Sequence, residues 1–111
     1  MNKVFSMIGL ATRAGKTVAG EFSVEKAVKQ KKAWLVIVSE EASDNTKKLF
    51  FNKCKYYKIP CFVYGSKQEL GEATGNDSRA SIAITDRGFS ETINRLLESY
   101  TEVVYVKDES T

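Results

Sequence analysis

Residues 18–39 read VAGEFSVEKAVKQKKAWLVIVS, and the reading of this stretch decides the fold. Val24, Ala27 and Val28 fall at i, i+3 and i+4, the spacing that gathers side chains on one face of a helix. Glu21 and Glu25 stand in the first turns and Lys29, Lys31 and Lys32 at the end, which complements the helix dipole. The spacing therefore predicts a helix over about 21–31. Behind it, residues 33–38 form an unbroken apolar run, too short for a helix core and rich in β-branched side chains. It reads as a strand over 33–39, buried on both faces. Gly20 stands at the mouth of the helix, where the free N–H groups of a helix start make a natural anion site.

The same pattern of helix and short strand continues outward in both directions. Upstream, Val4, Ile8 and Ala11 share a stripe with Phe5 beside it, predicting a helix over 2–13 that Gly15 ends; residues 16–19 then form a short strand. Downstream, Ser43 is a good N-cap with Asp44 behind it, opening a helix whose inner side is Leu49, Phe50, Cys54 and Tyr57 and which Pro60 stops. Residues 61–64 read as a strand, and Ser66 with Glu69 as a capping box opening a short helix that ends near Gly75. Residues 75–79 are the richest in turn formers, and 81–84 read as a further strand. From about Gly88, Phe89, Ile93, Leu96, Leu97 and Tyr100 recur at helical spacing, which predicts a last helix with a core-facing stripe. Residues 103–106 read either as an added edge strand or as an ordered tail. Such alternation predicts an α/β protein, a single-domain three-layer α/β/α sandwich around a small, four-stranded mixed and mostly parallel sheet. The domain is expected to span 1–100, with 101–111 a C-terminal extension.

At 111 residues, 42% of them apolar and 28% charged, the chain fits one globular domain with one core. The net charge of +3 is unevenly placed: residues 13–58 hold eleven Lys or Arg against five Asp or Glu. A basic half of this kind suits a polyanionic partner, while its plainer meaning is a set of solvated faces. Histidine is absent, which excludes Ser-His-Asp and Cys-His nucleophile systems and most catalytic zinc sites. Cys54 and Cys61 have no second pair and no metal-ligand spacing, so they read as reduced core residues; no cofactor and no metal are expected. The opening run lacks a cleavage signature and no stretch reaches membrane-spanning length, so the expected compartment is the cytoplasm.

Gly9 and Gly15-Lys16-Thr17 mimic a phosphate-cradling loop, but five residues separate the glycines where that motif needs four. The order is also reversed, a helix before and a strand after, and nucleotide binding of that kind is set aside. Arg13 and Lys16 remain as exposed cations expected beside Gly20. Ser23 and Lys26 share a face one turn into the helix that Gly20 opens. Phe22, next to Gly20, either faces a partner or caps the helix end. The loop over 74–80 is expected at the same end of the sheet, where such folds bind ligands.

Gly20 with Lys26-Ala27-Val28, the strand Leu35-Val36-Ile37-Val38 and Ser39-Glu40-Glu41-Ala42 resemble the ribosomal L-seven-Ae / L-thirty-e family. So do Tyr57-Lys58-Ile59-Pro60 and Ser66-Lys67-Gln68-Glu69-Leu70-Gly71 followed by Ala73 and Gly75; the match runs over about 9–89 and is nearest to the small bacterial, ribosomal-protein-like members. The resemblance implies a three-layer fold and binding to kink-turn RNA, and the missing histidine, the broken phosphate-loop spacing and the basic half lead us to expect no catalysis. In the family, the turn before the second helix carries Gly, an Asn-Glu or related pair, and Lys, which read sheared G·A pairs and nearby phosphates. The loop before the last strand covers a flipped-out nucleotide. Gly20 and Lys26 carry over, and so does the loop with Gly75, Asn76, Ser78, Arg79 and Ala80. Phe22 and Ser23 occupy the positions of the Asn-Glu pair, a departure from the family's pattern, and Glu21 is expected to supply part of that polar role. The partners so implied are structured RNA, ribosomal or a regulatory kink-turn, and the ribosome itself, with the protein a monomer off the membrane. A protein–protein adaptor or a ribosome assembly factor on the same fold, without kink-turn specificity, is the alternative.

Overall fold

Leu35 and Ile37 pack into one core while Val36 and Val38 pack into another, the period-two alternation of a strand with both faces covered. A computed structural model describes residues 2–100 of the chain. Helices α1 (Lys3–Arg13), α2 (Glu21–Lys29), α3 (Asp44–Tyr57), α4 (Lys67–Ala73) and α5 (Arg87–Tyr100) alternate with strands β1 (Thr17–Ala19), β2 (Leu35–Val38), β3 (Cys61–Val63) and β4 (Ser81–Ile84). Val24, Ala27 and Val28 of α2 and Phe50 and Cys54 of α3 cover one sheet face. Val4 and Ile8 of α1, Leu70 of α4, and Ile93 and Leu97 of α5 cover the other. The three-layer sandwich is thus the one the sequence predicts. The segment 103–106 and the extension 101–111 lie outside the described residues.

The sheet is mixed, but less parallel than expected. Its strand order is β1-β4-β2-β3; β4 runs antiparallel to both β1 and β2, and only β2 and β3 are parallel. β4, last in sequence, inserts between the first two strands and runs opposite to both. This insertion places the end of β1 beside the start of β4, with the Gly20 N–H donating to the Ser81 carbonyl at 2.9 Å.

Most helix ends behave as their sequence signals require. Ser43 accepts from the Thr46 N–H at 3.1 Å, and Ser66 and Glu69 exchange both bonds of a capping box. Helix α3 closes when Lys58 turns left-handed (φ 61°), and the Ile59 N–H reaches back to the Cys54 carbonyl at 2.8 Å; Pro60 follows that turn rather than causing it. Helix α2 ends two residues early because Lys31 also takes φ 61°. Trp34 departs from its expected place: β2 begins two residues later than expected, at Leu35, and Trp34 is 47% exposed. On the α5 stripe Ile93 and Leu97 are fully buried, while Phe89 and Leu96 pack against that core only in part.

Cys54 and Cys61 are free thiols buried where α3 meets β3. The hydrogen bond with Cys54, then burial, pushes the Cys61 thiol far above the ordinary thiol range. Since the thiolate is the reactive form, N-ethylmaleimide at pH 8 should label the native protein far more slowly than the urea-unfolded chain. Mass spectrometry showing equal rates would mean that the α3–β3 contact opens freely.

Candidate functional site

Gly20 is the hinge of the site, and its backbone explains the residue. Its φ of 96° with ψ of 151° lies in a region open essentially to glycine alone. The carbonyl then accepts from the Val24 N–H at 2.9 Å and starts α2. Asn2, Ser43, Ser66 and Asp86 each place a side-chain oxygen on a backbone N–H at the starts of α1, α3, α4 and α5. No side chain caps α2. The start of α2 therefore keeps donors available, with the positive end of the helix dipole behind them.

The loop over 74–80 reaches this hinge because the antiparallel pairing brings it there. A Cβ built on Gly20 would lie 3.9 Å from both Cδ and Nε of Arg79, so the guanidinium stem lies against the glycine. The Arg79 guanidinium donates to the Ser78 carbonyl at 2.7 Å and to the Asn76 side-chain oxygen at 3.0 Å. Asn76 in turn donates to the Thr74 carbonyl at 3.1 Å, and its N–H reaches the Gly71 carbonyl at 2.7 Å. Asn76 is therefore a positioning residue for Arg79. Ala80 is half-buried, and its carbonyl receives the Ser39 N–H at 2.8 Å, so it anchors the loop rather than facing outward. Gly75 and Ser78 are exposed at the loop's tip.

On α2, Glu21, Phe22, Ser23 and Lys26 are all exposed. Phe22 is 80% exposed: it faces outward and does not fold over the helix end. Glu21 accepts from the Thr46 hydroxyl at 3.4 Å, linking the starts of α2 and α3. Lys26 and Phe22, one turn apart, flank the same shallow groove. Among the described residues Lys26 forms no ion pair, whereas Glu25 is shared by Lys29 at 3.3 Å and Lys53 at 3.9 Å.

Arg13 and Lys16 are not beside Gly20. The Lys16 carbonyl receives the Thr85 N–H at 2.8 Å, at the opposite end of β4 from Ser81. The three strand residues Thr17–Ala19 separate Lys16 from Gly20, four extended steps or about 13 Å. Arg13 ends α1, which covers the other sheet face. Adjacency in sequence was misleading because β1 runs the length of the sheet between them.

Two supports escaped the sequence reading. Gly71 is buried in α4, and a Cβ there would stand 2.6 Å from the Ser78 nitrogen and 2.7 Å from the Asp77 carbonyl carbon and oxygen, so the loop is seated on bare helix backbone. The loop after β2 adds a second brace: Glu41 accepts from the Lys67 N–H at 3.0 Å, and Lys47 donates to the Glu40 carbonyl at 3.0 Å. Neither shows in the sequence: Gly71 is explained only by Asp77 and Ser78 of the loop folding back onto it, and Glu41 by Lys67, 26 positions away.

Among the described residues, helices on both faces of a mixed four-stranded sheet make this a small three-layer α/β/α domain. A Bacillus halodurans C protein, its structure described as that of a protein with unknown function, shares this architecture with a TM-score of 0.85 and 41% identity, over 88% of this chain and 99% of that one. The chain belongs to the ribosomal protein L7Ae/L30e/S12e/Gadd45 family, whose pattern matches residues 2–94. It is 42% identical over 94 residues to RNA-binding protein YlxQ of Bacillus subtilis (strain 168), covering 85% of this chain and 94% of that protein. Large ribosomal subunit protein eL8 of Thermoplasma volcanium is 27% identical over 101 residues, covering 90% of this chain and 84% of its own. Among the described residues, no helix is long and apolar enough to cross a membrane, and no group of three or more His, Cys, Asp or Glu could hold a metal ion.

Proposed function

We propose that this protein is a non-catalytic, cytoplasmic RNA-binding protein that recognises structured, kink-turn-like RNA as a monomer in association with the ribosome. Residues 1–100 form the binding domain, with 101–111 as an extension. The observation that carries this reading is the close approach of Arg79 to Gly20 at the uncapped start of α2. A backbone bare of side chains beside a guanidinium and a helix dipole suits a phosphate and a splayed nucleotide together. The names of the bacterial and archaeal relatives, one an RNA-binding protein and one a ribosomal protein, support the same class.

RNA helices hide most of their base edges, so selectivity has to come from a distorted region with unstacked bases. Arg79, held by Asn76, faces the phosphates of that region, and Phe22 offers its ring to a base where edge-reading side chains are absent. Lys26 acts on phosphate alone. Lys26→Ala is therefore expected to weaken binding to a kink-turn and to a straight duplex by the same factor, and to lower the salt slope by roughly one. Gel-shift titration of both RNAs at several salt concentrations measures this. A loss confined to the kink-turn would make Lys26 a reader of shape, and equal wild-type affinity for both RNAs would remove kink-turn recognition.

A further inference from the structure

At the far end of α2 from Gly20 the chain builds a second constellation. A cleft of about 500 Å³ opens there, and Trp34, Tyr57, Pro60, Lys31, Lys58 and Arg87 stand along its walls. The Arg87 guanidinium lies 5.8 Å from the centre of the Trp34 ring, and the indole is half-exposed. Three cations thus face the cleft against the carboxylate of Glu91, which is engaged by Arg87 at 3.1 Å. Neither Lys31 nor Lys58 has an ion pair among the described residues.

The backbone adds an independent observation. Four glycines take positive φ in this chain, and the only other described residues that do so are Lys31 and Lys58, both at 61°. Left-handed positions after helices go by default to glycine or asparagine, because a Cβ is strained there. Here both such positions that border one cleft hold lysine instead. Unfavourable backbone geometry retained at one site points to a use for the side chain.

Cations alternating with aromatic faces match one ligand chemistry: an unpaired nucleobase with its flanking phosphates. We propose that this cleft binds single-stranded RNA, with a base stacking on Trp34 and adjacent phosphates on Lys31 and Lys58. The proposal rests on the reading of the chain as an RNA binder and extends it to a second site. A shallow groove bordered by Phe22, Lys26, Gln30 and Lys32 follows α2 from its Gly20 end toward this one. Helix α2 has nine residues and spans about 13 Å, so a strand leaving the Gly20 end can follow that groove to Trp34. Lys16, displaced from Gly20, stands at this same end of the sheet, beside Thr85.

Trp34 is the only tryptophan in the chain, so its fluorescence reports on the cleft directly. A short oligouridylate with no secondary structure is expected to quench it saturably. The double variant Lys31→Gly/Lys58→Gly removes both charges and installs the residue that these φ values favour, so misfolding cannot account for a lost signal. In that variant the oligouridylate should bind at least about tenfold more weakly, while a blunt-ended kink-turn RNA binds within about twofold of wild type. No quenching, quenching unchanged in the double variant, or equal quenching by a polyglutamate peptide would overturn the proposal, the last by making the cleft a seat for acidic protein segments. Failure of the kink-turn RNA to bind while oligouridylate still quenches would remove the first site and leave this one standing.

Discussion

Gly71→Ala is expected to destabilise the protein by about 1–3 kcal/mol, the usual penalty for forcing extra atoms into a packed site. Ordinarily a glycine inside a helix gains roughly 0.5–1 kcal/mol on becoming alanine, so the expected sign is opposite to the local rule. The new methyl would stand 2.6 Å from the Ser78 nitrogen, and what it meets is backbone, which cannot swing aside as a side-chain tip can. The loop over 74–80 has to lift, and the bonds from the Asn76 N–H to the Gly71 carbonyl and from the Arg79 N–H to the Lys67 carbonyl go with it. Thermal unfolding should show a fall of roughly 4–8 °C per kcal/mol lost. RNA affinity, measured well below the transition, should fall as well because Arg79 leaves Gly20. A raised melting temperature would mean that the loop is not seated on α4 as described.

Leu97→Ala carries the other large effect, a loss of roughly 2–5 kcal/mol. Leu97 is fully buried with Val4, Ile8 and Ile93, where α5 closes the sheet face shared with α1. The neighbouring Leu96 is only partly buried, so Leu96→Ala should cost distinctly less. Urea unfolding of the two variants side by side tests the facing of the helix. Equal losses, or a larger one for Leu96, would require α5 to be rotated about its axis.

The sequence showed its helices through spacing, and the capping box at Ser66 and Glu69 could be read from four residues. Such signals are local, and so they survive without knowledge of the partner surface. The placement of β4 between β1 and β2 is not local, because nothing in residues 81–84 states which strands will flank them. That choice alone carried Arg79 to Gly20 and carried Lys16 away from it. Gly20 itself was legible as a helix opener, but its φ of 96° was not. In consequence any side chain at position 20 strains the chain by itself, so Gly20→Val could not separate a folding effect from a loss at the proposed site. Trp34 was misplaced because an apolar run says how many residues are hydrophobic and not where the strand within it begins.

The insertion of β4 also orders events in time. The middle of the sheet is filled by residues 81–84, so β1 gains its hydrogen-bonded neighbour only from a segment more than sixty positions further on. Contacts of such long sequence separation form late, after the loop-closure entropy has been met. During synthesis β2, α3 and β3 can assemble as a parallel unit before β4 emerges. Gly20 and Arg79 cannot meet until the sheet closes. The nascent chain therefore passes through a stage with much of its framework in place but Gly20 and Arg79 still apart, and the proposed RNA site takes shape only with the closing strand.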